Sequence, residues 1–209
     1  MKVEKWVVGK TLAGFNVNTY IITSGNKALI IDPGDEAEKI IQVVKNKDLT
    51  VEGVILTHGH IDHIKDTKIV SDCFQCSVSI GEWDVPFVKD DNLNLSGILG
   101  IPFQKFEIKL KLKENDKIRL NKESLSVLHT PGHTPGGISL KGDQFVITGD
   151  TLFKNGYGRY DMPGGDSDKL FESIRKKLLV LPDDFHVYPG HGDDTMIKNE
   201  KEFYRLPGA

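Results

Sequence analysis

The sequence predicts an α/β fold built as one domain over residues 1–209, and three observations carry that prediction. Short apolar runs of strand type alternate with amphipathic stretches of helical period along the chain. Its 21 glycines punctuate those runs, as many tight turns between short elements would require. No linker, low-complexity tract or fixed-period repeat divides the 209 residues, a length that suits one large domain.

Taken in order, Val17–Thr23 and Ala28–Ile31 read as strands, the second closed by the turn Asp32-Pro33-Gly34. Glu36–Lys47 reads as a helix whose apolar face is Ile40, Ile41, Val43 and Val44. Gly53–Thr57 is a short strand, Asp62–Phe74 a helix with Ile64, Ile69 and Val70 inward, and Val78–Ile80 a strand. Asp90–Gln104 is the loosest stretch and reads as a surface excursion. Lys105–Lys113 alternates strictly, with Phe106, Ile108, Leu110 and Leu112 on one face and charged residues on the other; this predicts a half-exposed strand whose lysines discourage edge pairing. Strands follow at Ser124–Leu128, Ile138–Leu140 and Phe145–Thr148, then a helix at Ser167–Val180, a strand at Phe185–Tyr188 and a short helix at Met196–Tyr204.

Composition removes several classes of function. Lys and Arg total 27 against 30 Asp and Glu, a net charge of −3 with no large basic block, so nucleic acid is not an expected partner. No apolar run approaches membrane-spanning length, so no membrane is expected either. The apolar run Trp6–Val8 is too short for the core of a secretory leader, which predicts a cytoplasmic protein. Cys73 and Cys76 have redox or half-zinc-site spacing, but there is no second pair, and they read as small packing residues.

The chemistry concentrates in the histidines. Thr57-His58-Gly59-His60-Ile61-Asp62-His63 follows the strand Gly53–Thr57 and opens a helix. In extended chain, residues two apart point the same way, so His58 and His60 converge, while Asp62 and His63 start the helix beside them. Three further strands end similarly: Ser124–Leu128 leads to His133, Phe145–Thr148 to Asp150, and Phe185–Tyr188 to His191. Strand C-terminal ends are where open α/β architectures build their sites. Five histidines and two aspartates exceed what one tetrahedral ion can use. Two divalent ions about 3.5–4 Å apart would use all seven if one carboxylate bridged them. This N/O donor set suits zinc, with iron or manganese also compatible. Two such ions against two aspartates and a hydroxide leave net positive charge, which favours an anionic substrate.

The string T-H-x-H-x-D-H, with His133, Asp150 and His191 downstream, resembles the metallo-β-lactamase superfamily. Within it, Thr148–Phe153, Gly156–Arg159, Pro163–Asp166 and Tyr188–Gly192 are similar to glyoxalase II-like hydrolases of the short bacterial type without a C-terminal helical domain. The resemblance implies a four-layer αβ/βα sandwich with the site at one edge of two sheets. It also implies that His58, His60 and His133 hold one metal, that Asp62, His63 and His191 hold the other, and that Asp150 bridges them. Arg159 matches a basic position that grips a glutathione carboxylate, whereas Asp161 stands where the full-length family tends to have Tyr. Asp62 and Asp150 are the expected catalytic carboxylates, and Tyr157 is a candidate lining residue of the substrate site, as is Tyr160.

The implied reaction is hydrolysis of a small anionic thioester, S-D-lactoylglutathione or a related acyl thiol, by hydroxide shared between the two ions. Two alternatives use the same scaffold: a mononuclear iron persulfide dioxygenase on His58, His133 and Asp150, and a lactonase or other ester hydrolase. Asp32 is expected to support a ligating histidine, and His129 and His186 to be core or supporting residues that do not ligate.

Overall fold

Two six-stranded sheets share one apolar interior in this computed structural model, which describes residues 1–10 and 16–205. The first sheet comprises β1 (Lys2–Val8), β2 (Val17–Ser24), β3 (Lys27–Ile31), β4 (Thr50–Leu56), β5 (Ser77–Gly81) and β6 (Leu110–Leu112), in that order. Helices α1 (Ala37–Asn46), α2 (Ile61–Ile64), α3 (Thr67–Phe74) and α4 (Ser96–Leu99) interrupt it. The second sheet uses β7 (Lys117–Leu120), β8 (Glu123–His129), β9 (Ile138–Lys141) and β10 (Phe145–Gly149). After the ribbon β11 (Leu152–Phe153) and β12 (Gly156–Tyr157), it is completed by β13 (His186–Pro189) and β14 (Thr195–Met196). Helices α5 (Ser167–Ser173) and α6 (Ile197–Phe203) belong to this half, and π-type turns at Ile174–Leu178 prolong α5.

Strand alternation builds the layers. Tyr20, Ile22, Leu29, Ile31 and Ile55 meet Leu125, Val127, Leu140 and Ile147 between the sheets. Their neighbours Ile21, Ile30, Val54 and Leu56 point the other way, onto Ile40 and Val44 of α1 and Val70 of α3. On the far side Val146 and Val187 pack on Leu170 of α5 and Ile197 of α6. Each strand with two buried faces therefore reads as a continuous apolar run, and the layers are helix, sheet, sheet, helix as predicted.

The topology brings the functional ends to one edge. β3 and β4 are parallel, as are β10 and β13, and β8 runs with β10 because β9 is antiparallel to both. The C-terminal ends of β3, β4, β8, β10 and β13 thus lead into Asp32, His58, His133, Asp150 and His191. Two glycines permit the crowding. Gly149 has φ +49 with Thr57 against its missing Cβ, and a Cβ on Gly190 would lie 2.1 Å from Asp150 Oδ1.

Several elements differ from expectation. β1 and β7 form, although Lys2–Val8 and Lys117–Leu120 carry weak patterns; both strands are largely half-exposed. Lys105–Lys113 pairs over Leu110–Leu112 alone, parallel to β5. Phe106 and Ile108 pack into the helix-side core before pairing begins, and Leu110 is exposed, so the inward face predicted for it is corrected. The helix Asp62–Phe74 is two helices that break at Asp66, whose Oδ2 turns away to accept the Ala37 N–H at 2.8 Å and does not cap α3. Ile69 is exposed, contrary to its predicted inward position. Cys73 is exposed as well, so only Cys76 packs as predicted. Asp90–Gln104 carries α4 and part of the site's wall.

Candidate metal centre

His58, His60 and His133 offer ligand atoms within 4.8 Å of one another; so do His58, His63 and Asp150, and so do Asp62, His63 and His191. All seven residues singled out in the sequence therefore converge. Asp150 lies among the three groups: its Oδ1 is 3.3 Å from His63 Nε2, and its Oδ2 is 3.3 Å from His191 Nε2 and 3.5 Å from His133 Nε2.

Hydrogen bonds at the back of the rings set which nitrogen faces inward. Asp32, at the end of β3, accepts the Thr57 N–H at 2.7 Å and the Thr57 hydroxyl at 2.6 Å. With its hydroxyl proton so engaged, Thr57 Oγ1 accepts from His58 Nδ1 at 3.1 Å. His63 Nδ1 donates to Asp32 Oδ2 at 2.9 Å, the supporting role expected of Asp32. His133 Nδ1 donates to the Arg159 carbonyl and His191 Nδ1 to the Asn16 carbonyl, each at 2.6 Å. Four rings thus aim Nε2 at the centre. His60 instead brings Nδ1 to 2.9 Å from His133 Nε2.

These atoms fit a cation. His58 Nε2, His60 Nε2 and Asp150 Oδ1 are buried and have no hydrogen-bond partner, a costly arrangement unless an ion takes up such atoms. Electrostatics agrees. Burial, reinforced by neighbouring histidines, holds His58 neutral and lowers the pKa of His60 to about 3. Burial also opposes charge on His63 and His191, yet Asp150 and Asp62 overcome it and push them up to about 10 and about 11. Burial would raise the Asp150 carboxyl, but His191 and His63 hold it well below the usual carboxylate range. Without a metal, protons on two imidazoles supply the positive charge the carboxylates demand.

Sequence reasoning missed Asp84. It closes a 3₁₀ turn at Glu82–Asp84, is fully buried, and carries no motif that marks it. Its Oδ2 accepts from the Gly59 N–H at 3.0 Å and the Thr134 hydroxyl at 2.7 Å, and its Oδ1 from the Gly136 N–H at 2.6 Å. One carboxylate so ties the loop of His58 and His60 to the loop of His133. A hydrogen-bonded buried acid between two ligand loops is visible only once the loops are adjacent.

The remaining predicted residues sit around the centre. A cavity of about 300 Å³ opens beside it, lined in part by Leu95, Leu99, Ile101, Phe153, Tyr157 and Arg159. Tyr157 stacks on Tyr160 and meets Phe171 edge-on. Arg159 lines the cavity, but its Nε and one terminal nitrogen each lie 2.9 Å from Asp161. His129 Nε2 donates to the Pro135 carbonyl at 2.9 Å and His186 pairs with Asp194 at 2.6 Å, so neither ring ligates, as expected, and neither backs a ligand, which corrects the supporting role considered for them. Among the described residues no helix is long and apolar enough to cross a membrane.

Comparison with known proteins agrees with this geometry. The family model of the metallo-beta-lactamase superfamily matches residues 12–191. The probable metallo-hydrolase YqgX of Bacillus subtilis is 36% identical over 205 residues, covering 97% of this chain and 95% of that protein. Hydroxyacylglutathione hydrolase GloC of Haemophilus influenzae is 35% identical over 91% of this chain and 92% of its own length. Among solved structures, the BLEG-1 B3 metallo-beta-lactamase superposes with a TM-score of 0.89 at 32% identity, over 96% of this chain and 97% of that one. Model, relatives and fold converge with the histidine-aspartate cluster on one conclusion: the chain belongs to the metallo-beta-lactamase superfamily and is a metallo-hydrolase.

Proposed function

We propose that this protein hydrolyses acyl thioesters, S-D-lactoylglutathione or a related acyl thiol, using two divalent ions. His58, His60 and His133 would hold one ion and Asp62, His63 and His191 the other, with Asp150 shared between them. The observation that supports this most directly is the set of three buried, partnerless atoms within that cluster, His58 Nε2, His60 Nε2 and Asp150 Oδ1. When bound, divalent ions supply a water of lowered pKa and stabilise the oxyanion that develops at an attacked carbonyl.

The chain's own groups do the rest. Asp62 Oδ2, 3.2 Å from His191 Nε2, stands at the cavity as an acceptor that orients the attacking water. Asp32 and the Arg159 and Asn16 carbonyls hold the ring tautomers throughout a cycle. Besides the cluster, Tyr157 and Arg159 are the titratable groups lining the cavity among the described residues. A thiolate, whose conjugate acid has a pKa of about 8.5, departs without a strong general acid, so this lining suits a thioester better than a lactam nitrogen. Arg159 at the rim is the group available to an anionic substrate, once released from Asp161. The similarity to GloC points to the same substrate class.

The test loads the protein with zinc, iron or manganese, counts bound metal by elemental analysis, and compares S-D-lactoylglutathione with a lactone and a β-lactam. Two ions per chain and a kcat/KM for the thioester at least about 100-fold above the others are expected, a gap of about 2.7 kcal/mol in barrier. One iron per chain with oxygen uptake on a persulfide, or faster lactone turnover, would overturn the reading.

A further inference from the structure

Most of the cavity's lining beyond the cluster is apolar, and part of it is held in a strained form. Leu95 has φ 72 and ψ 0, the left-handed region that a branched side chain seldom occupies. Its neighbour fixes it there. Asn94 is fully buried: its Nδ2 donates to the Phe87 carbonyl at 2.9 Å, and its Oδ1 accepts the Ser96 N–H at 2.8 Å. The Asn94 carbonyl accepts the Ile61 N–H at 2.9 Å, and Ile61 lies between His60 and Asp62. The wall is therefore fastened to the backbone that carries the metal cluster. Such strain persists where surroundings over-determine it, and it clusters at binding sites. A glycine would occupy this backbone freely; what leucine adds is a side chain, and that side chain lines the cavity beside Leu99 and Ile101. Arg159, the cavity's cationic group outside the histidine cluster among the described residues, is engaged by both oxygens of Asp161.

We propose that this wall seats an unbranched hydrocarbon group of the thioester, and that Leu95 sets the preference for it. The nature of the reacting bond rests on the thioester reading above; the preference for a hydrocarbon rests on the lining itself. The chain can belong to either half of the substrate, the acid or the thiol.

Two substrate series separate those sources: acyl thioesters of one small polar thiol, and acetyl thioesters of alkanethiols, each from two to eight carbons on the metal-loaded protein. Burial gains about three- to fourfold per methylene. In one series kcat/KM is expected to rise at least about tenfold from two to six carbons, allowing for partial burial. Leu95→Gly, which suits the left-handed backbone, should compress that rise to within about threefold, and Leu99→Ala, at a 45% exposed position, should weaken it too. Flat profiles in both series overturn the inference, as does a steep profile that Leu95→Gly leaves intact. If no thioester is hydrolysed, the thioester reading falls. Calorimetric binding of acetate, butanoate, hexanoate and octanoate then decides the wall by the same criterion: affinity rising with length in the parent and flattened in Leu95→Gly supports it, and equal affinities refute it.

Discussion

Four of the five clustered histidines rest on a second polar partner behind the ring, and those partners are buried or are main-chain carbonyls. The cavity beside them is backed less evenly: buried Asn94 anchors its wall at Leu95, but its outer groups are loosely held. Leu99 is 45% exposed, and Arg159 is oriented by a surface ion pair alone. Ligand atoms must reach a cation within a few tenths of an ångström, and only fixed rings and fixed loops achieve that. A substrate wall needs shape and polarity, which tolerate movement. Changes at the cluster should therefore alter metal content, and changes at the wall should alter which substrate is preferred.

The largest effect tests the cluster itself. His60→Ala removes a ring from the group it forms with His58 and His133. Elemental analysis should show loss of at least one ion per chain, and thioester turnover should fall by more than about 100-fold, above the usual cost of disturbing an outer contact. Retention of both ions would break the contrast at its strongest point.

Asp84→Asn probes the backing without touching a ligand. An amide nitrogen placed toward either donor set would leave Gly136 N–H, or Gly59 N–H and the Thr134 hydroxyl, without an acceptor. Competition with a chelator should report metal affinity lower by about 10–100-fold, and denaturant unfolding a loss of about 1–3 kcal/mol. Thr134→Val, which deletes one of the three bonds, should lie between Asp84→Asn and the parent.

On the wall side the expected changes are smaller and of opposite sign in two variants. Asp161→Ala frees the Arg159 guanidinium and should lower KM for S-D-lactoylglutathione, while Arg159→Ala should raise it. Both shifts should stay within about fivefold, the scale of an exposed ion pair, with kcat little altered. An unchanged KM in Arg159→Ala would remove that residue from substrate binding.

The same contrast explains what the sequence revealed. The cluster was legible because its ligands follow four apolar strands, three of them through a Gly, so that local pattern alone places them at strand ends. The interior strands β2, β3, β4 and β10 were legible because burial on two faces leaves continuous apolar runs. β1 and β7 were not, since half-exposed strands mix lysines and glutamate into the pattern. Lys105–Lys113 misled for a related reason: its alternation is genuine, but Phe106 and Ile108 are claimed by the helix-side core before the ladder starts. Asp84 and Leu95 had no signature at all, because the first acts through loops distant in sequence and the second through a backbone conformation.

The His191 loop lies where rigid and exposed parts meet. Tyr20 donates its hydroxyl to the Pro189 carbonyl at 2.6 Å, and Asn18 Nδ2 reaches the Pro189 and Gly192 carbonyls at 3.0 and 2.9 Å. Outside these, Asp194 takes Lys5 from the first sheet at 2.9 Å and His186 at 2.6 Å. Lys5 above all, with His186, lowers the Asp194 carboxyl to about 2 against a burial effect that would raise it. A carboxyl depressed on folding stabilises above its ordinary pKa of 3.8, and the contribution is lost as pH falls through about 2. In chelator-treated protein, Asp194→Asn should therefore lower Tm at pH 7 by at most about 4 °C, in keeping with a half-exposed pair. The gap between variant and parent should narrow as the melts are repeated from pH 4 down to pH 2. A gap that held constant across that range would mean that shape, and not charge, makes the Asp194 contact, and the loop of His191 would then belong wholly to the rigid side.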